Sequence, residues 1–196
     1  MHTQGDDRNC ENQYMARELT TSYLQDSLSV LRQYKKMGED AMAQVSDEQL
    51  FHMLDEEMNS IAIIIKHITG NMRSRWTDFL TSDGEKPGRN RDSEFIEPPP
   101  TREALMKTWD DGWACLFRAL EPLSDADLAR TVTIRGEPHS VMQAINRQVA
   151  HYASHIGQIV LLAKHFQHDK WRSLSIPRNK SAEYTRTTVS GGTSRR

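Results

Sequence analysis

Apolar residues return at every third or fourth position along four long stretches of this 196-residue chain. A chain patterned in that way buries its apolar side chains by laying amphipathic helices against one another. Ala16, Leu19, Tyr23, Leu24, Leu28, Leu31 and Tyr34 predict a first helix over roughly 13–43. Ser46 and Gln49 form a capping-box pair that opens a second helix. Its stripe is Met58, Ile61, Ile65, Ile68, Met72, Trp76 and Phe79, and it ends near Leu80, before Asp83-Gly84. Three prolines precede a third helix that starts near Thr101, carries Leu105, Trp109, Trp113, Leu116 and Leu120, and stops before Pro122. Ser140 and Gln143 form another capping box. From there a fourth helix runs to about His165, with Val141, Ile145, Val149, Tyr152, Ile156 and Val160 on one side. The expected fold class is all-α, a four-helix bundle.

The segments between these stripes set the organisation. Residues 81–100 show no helical or strand period and hold four prolines, two glycines and dense mixed charge. A loop of that length is uncommon inside a compact domain and is usually functional or disordered. It is long enough for a crossover between helices 2 and 3, and Phe95 and Ile96 are the side chains that could pin it to the core. Residues 131–138 alternate briefly around Arg135-Gly136, the signature of a small turn or hairpin. The chain therefore divides into a polar, flexible N-terminus (1–12), one helical domain (13–170) and a polar, basic, partly disordered tail (171–196).

Composition removes several function classes. Leu, Ile, Val and Phe together make up just under a fifth of the chain, lean for a globular protein, but the formal net charge is only −2. Disorder throughout usually needs high net charge as well. The same near-neutral balance argues against a general nucleic-acid binder. Only the tail is basic, with seven Lys and Arg from Lys170 to Arg196 against Glu183. No apolar run is longer than Ile61 to Ile65, far short of the roughly 20 residues of a membrane span. Cys10 and Cys115 make no CxxC pair, and no basic-then-apolar leader opens the sequence, so a reduced, cytoplasmic protein is expected.

The chemistry-bearing motif is His151-x-x-x-His155 on the fourth helix. Positions i and i+4 lie one turn apart on the same face, so both imidazoles can reach one metal ion. Gln148, His151, His155 and Gln158 share a polar stripe beside the apolar one. A buried polar row requires partners, and a metal would supply them. Tyr152 stands where a HExxH metalloprotease motif needs Glu. A third ligand must come from another helix. Of the eight histidines, His52 and His67 both fall on the expected second helix, about 22 Å apart, so at most one can join the pair. His67, in mid-helix beside the Ile61, Ile65 and Ile68 stripe, is the better placed.

These residues also carry a resemblance. HITGNMRSRWTDFLTSDGEK from His67, RNRDSEF from Arg89, HYASHIGQIV from His151 and WRSLSIPR from Trp171 resemble an uncharacterised bacterial branch of the DinB-like (YfiT-like) superfamily. The likeness spans roughly residues 13–185, with two departures: Gly88 replaces an aromatic and Asn179 replaces a glycine. It implies a four-helix bundle with a long crossover between helices 2 and 3, usually a homodimer. It also implies one divalent metal held by His67, His151 and His155, a site that departs at none of its ligands. Three imidazoles leave coordination positions open, as in catalytic sites, and select only weakly among Zn²⁺, Ni²⁺, Fe²⁺ and Mn²⁺. The superfamily includes thiol-dependent S-transferases and isomerases, so a small-molecule substrate and a low-molecular-weight thiol are the expected partners.

Other candidates carry less. Asp83, Glu85, Lys86, Arg89, Arg91 and Asp92 could form a lid or anion site over the metal, or a solvated charged loop with internal ion pairs. Arg73 and Arg75 read as surface cations at a helix C-terminus, Trp109 and Trp113 as core, and Cys115 as an inert buried thiol. Two functions follow: a metal-dependent transferase or hydrolase acting on a small molecule, or a non-catalytic metal-binding or dimerisation module.

Overall fold

A computed structural model of the chain describes residues 21–184. The expected N-terminal segment 1–12, the start of the first helix and the end of the tail lie outside those residues. The described chain is mostly helical: α1 (Tyr23–Met42), α2 (Asp47–Phe51), α3 (Ile61–Trp76), α4 (Arg102–Leu120) and α5 (Val141–Gln167). One small hairpin, β1 (Thr131–Ile134) and β2 (Glu137–Ser140), precedes α5. Single 3₁₀ turns lie at Asp92–Phe95, Asp125–Ala129 and His168–Lys170.

The helix boundaries follow from local chemistry. Ser22, Ser46, Ser60, Thr101 and Ser140 each accept a backbone N–H of the first turn they open. At Ser46 and Ser140 the partner glutamine reaches back, completing the expected capping boxes. The single second helix expected over 46–80 is instead two helices. After Phe51 the chain runs through an exposed acidic stretch, Asp55-Glu56-Glu57, that has no apolar period, and Met58 stays exposed. The buried run begins only at Ile61, and Ser60 caps it. His52 and His67 therefore do not share a helix.

The stripes face inward. Leu24, Leu28 and Leu31 of α1, Ile61, Ile65, Ile68, Met72 and Trp76 of α3, and Leu105, Trp109, Trp113, Leu116 and Leu120 of α4 are buried. Val141, Ile145, Tyr152 and Ile156 of α5 join them. Residue pairs give the helix directions. Thr69 abuts Gly112 and Thr77 meets Cys115, so α3 and α4 advance together. Tyr23 bonds Asn146, Gly38 meets Ile156 and Gln44 bonds the Arg172 backbone, so α1 and α5 are also parallel. Asn71 and Trp76 both bond Tyr152, while His67 lies by His155 further along, so α3 opposes α5. Parallel neighbours need a connection that returns the full helix length. Residues 77–101 supply it: α3 has 16 residues, about 24 Å at 1.5 Å each.

The hairpin turn is Arg135-Gly136, both at positive φ (55° and 77°), as a tight two-residue turn requires. Asp83 accepts the N–H groups of Arg135 and Gly136, both at 2.8 Å, tying the turn to the long connection. The start of the tail is held too, with Trp171 and Leu174 against the core.

Ser60→Ala tests the helix break by its sign. Loss of a cap costs about 1 kcal/mol, whereas Ala in place of Ser inside a continuous helix would be mildly stabilising. Urea unfolding of Ser60→Ala is expected to show the loss.

Candidate metal centre

Two helices bring three histidines together. On α5 the i, i+4 spacing sets His151 and His155 edge to face, with ring centroids 4.7 Å apart. His67 of α3 faces both, at 5.4 Å from His151 and 4.9 Å from His155. One nitrogen from each ring can be chosen so that all three lie within 4.8 Å of one another. These are the three residues that the sequence nominated. His52 takes no part: it caps α2 and meets Phe166 edge-on.

Each ring is held differently. His67 is 4% exposed, and its Nδ1 lies in hydrogen-bond contact with Glu94 Oε2 at 2.9 Å. Phe95 stacks on the same ring at 4.6 Å. His155 Nδ1 donates to Gln158 Oε1 at 2.8 Å, so the polar stripe seen in the sequence orients one of its own members. His151 Nδ1 is buried without a hydrogen-bond partner among the described residues. Burial, reinforced by the neighbouring His155 and His67, pushes the His151 pKa down to about 3. Burial also lowers His155, against the opposing effect of its bond to Gln158. Both rings are therefore neutral near pH 7, the state in which imidazole ligates a metal. Two neutral rings on α5 beside His67 of α3, with a buried nitrogen on His151 unpartnered, fit a divalent ion.

The charged connection supplies the surroundings. Arg89 donates to both oxygens of Glu94, from Nε at 2.7 Å and Nη2 at 2.9 Å, and also reaches Glu85 at 3.2 Å. Glu85 receives Arg75 at 3.1 Å and Arg135 at 3.0 Å. A chain of alternating charge thus runs from the hairpin turn to His67. Burial raises the Glu94 pKa, but the bonds from His67 and Arg89 outweigh it and leave the carboxyl below its ordinary value.

This arrangement revises several expectations. The loop does contain internal ion pairs, yet Arg89 and Glu94 are buried rather than solvated. Arg75 is no surface cation: it is 6% exposed and donates to the Gly84 carbonyl and to Glu85. Arg73 is exposed, as expected. Phe95 does pin the loop, but Ile96 is 58% exposed. Cys115 is half-buried beside Thr77 Oγ1, not sealed in the core. Glu94, which holds the His67 ring, is the site residue that the sequence reading did not single out. Gly70 was a signal for it: a mid-helix glycine is unfavourable, and a Cβ there would come within 2.7 Å of Glu94 Oε1.

The family is settled by comparison. A family model described as a protein of unknown function (DUF1572) matches residues 18–180, and the chain belongs to that family. No curated protein matches it.

Arg89→Ala leaves the buried Glu94 carboxylate without its main cation, a change that costs about 3–5 kcal/mol. Glu94→Ala does the converse to Arg89. The double variant is expected to lose less than the two single losses combined, by roughly 1–3 kcal/mol. A double-mutant cycle by chemical denaturation measures that coupling.

Proposed function

Proceeding from that family, we propose that this protein is a metal-dependent enzyme of DinB-like (YfiT-like) type. Its four long helices form a four-helix bundle with the crossover at residues 77–101, and the working unit is a homodimer. The observation that carries the reading is the convergence of His67, His151 and His155. The parallel pairing of α3 with α4, joined by a long return connection, supports the fold assignment. Among the described residues no helix is long and apolar enough to cross a membrane, which suits an enzyme free in the cytoplasm.

His67, His151 and His155 would hold one divalent ion, of zinc, nickel, iron or manganese. When bound, such an ion acidifies a coordinated thiol or water, or polarises a carbonyl. With three protein ligands a coordination position stays open, the pattern of catalytic rather than structural sites. The chain's own part is to present neutral donors. Burial keeps His151 and His155 from taking a proton in place of the metal. Glu94 and Gln158 turn two of the rings. The proposed reaction is S-transfer from a low-molecular-weight thiol to a small molecule, or hydrolysis of one.

Mass spectrometry of protein purified without a His-tag or added metal tests the site. About one equivalent of metal is expected in the wild type and none in a His151→Ala, His155→Ala double variant. Panels of thiol acceptors and hydrolase substrates then test the chemistry. Tight metal binding with no rate enhancement on either panel would leave a non-catalytic metal-binding or dimerisation module. A wild type that takes up none of the four metals would remove the enzyme reading.

A further inference from the structure

His151 and His155 arrive in register because they share one helix. His67 comes from a second helix, and its ring must be turned independently. The only side chain hydrogen-bonded to it among the described residues is Glu94, 27 positions along the chain.

We propose that Glu94 is the positioning residue of this centre: clamped by Arg89, it accepts the Nδ1–H of His67 and leaves Nε2 as that ring's donor to the metal. The inference rests on the metal-site reading above. Its first support is chemical. A carboxylate that receives two N–H groups from one guanidinium is an acceptor, so the hydrogen between it and His67 belongs to the imidazole. A neutral ring with Nδ1 protonated carries its lone pair on Nε2. A carboxylate behind a ligating histidine fixes the tautomer and raises the basicity of the ligand.

The second support is that the backbone is shaped for this contact. Gly70 lies one turn beyond His67, and any Cβ there would strike the Glu94 carboxylate, at 2.7 Å from Oε1 and 2.9 Å from Cδ. One residue before His67, Lys66 donates its Nζ to the carbonyls of Ser93, Ile96 and Glu97, at 2.6, 2.7 and 3.2 Å. The segment bearing Glu94 is thus fastened to α3 on both sides of the carboxylate. Phe95 stacks on one face of the ring. As a result the third ligand is set only when segment 89–97 is docked. The long connection becomes part of the metal site without contributing a ligand.

Long-range ¹H–¹⁵N NMR of the metal-free protein at alkaline pH reads the tautomer directly, with His67 signals assigned by their loss in His67→Gln. Wild-type His67 is expected in the Nδ1–H form. Glu94→Gln should shift it toward a mixture and weaken Zn²⁺ affinity, measured by chelator competition, about 10–100-fold. Because Glu94→Gln also disturbs a buried ion pair, Gly70→Ala provides a second route: it keeps every charge and displaces only the carboxylate. It too should weaken Zn²⁺ binding, by about 10-fold or more. An Nε2–H tautomer in the wild type would overturn the proposal. So would unchanged Zn²⁺ affinity in both variants, even with lowered unfolding midpoints, since that is the result of a merely structural role. A wild type that binds no metal yet holds His67 as Nδ1–H would sink the proposed function and uphold the hold of Glu94 on the ring.

Discussion

Helix α3 is buried along almost its whole length, from Ile61 to Trp76, and five of its buried residues are polar: His67, Thr69, Asn71, Ser74 and Arg75. None of them can turn to water, so each needs a partner inside the protein. Thr69 solves this locally by donating to the Ile65 carbonyl at 2.8 Å. Asn71 accepts from Tyr152 at 3.2 Å, and Tyr152 in turn accepts from Trp76 at 3.0 Å. The other three take partners from the connection that follows. Ser74 and Arg75 donate to the Gly84 carbonyl, Arg75 also to Glu85, and His67 to Glu94. The path of residues 84–94 is the solution to the polar demands of this one helix.

That connection meets a second constraint at the same time. Because α3 and α4 lie side by side and run the same way, the chain must travel back along them before α4 can start. A return of this kind could be an unattached strap. Here the demands of α3 fasten it at Gly84, Glu85, Glu94 and, through Lys66, at Ser93 to Glu97. The hairpin closes the far side, with Gly84 N–H donating to the Thr133 carbonyl at 2.7 Å and Asp83 holding the turn. The helix that carries the third histidine, the crossover and the hairpin are therefore one hydrogen-bonded unit.

What could be read from the sequence was what is local or periodic. The buried stripes, two capping boxes, the Arg135-Gly136 hairpin and the i, i+4 histidine pair depend on spacings of a few residues. His67 was reachable because it sits in the middle of an unmistakable apolar run. The break after Phe51 was missed because the Ser46 capping box announces a helix start, and Asp55 to Glu57 are residues that helices tolerate. The stronger signal was Ser60 standing directly before the apolar run from Ile61. Arg75 was misjudged because the last turn of a helix is where exposed cations commonly sit, and its partner Glu85 lies across a loop with no period. Glu94 belongs to the same class of miss. Its meaning depends on a contact 27 residues away, which no local rule reaches, and only the helix-breaking cost of Gly70 hinted that something had to fit there.

The charges around the site bear on what it can take. Glu85 and Glu94 face Arg75, Arg89 and the half-exposed Arg135, and Asp83 holds the hairpin turn beside them, so carboxylates and guanidinium groups match within this network. Arg91 adds a further positive charge, lying 4.9 Å over the Phe95 ring that stacks on His67. Imidazole donors contribute none when they ligate. A divalent ion held by His67, His151 and His155 would receive no negative charge from its ligands themselves, only from Glu94 behind His67. Opposite charges at contact distance attract far more strongly in a partly buried site than in water. The open position therefore favours a ligand that brings its own negative charge, and the same field lowers the pKa of a neutral ligand that can lose a proton. A thiol meets both conditions: it ionises more readily than water, and its thiolate is the stronger nucleophile and the better metal ligand.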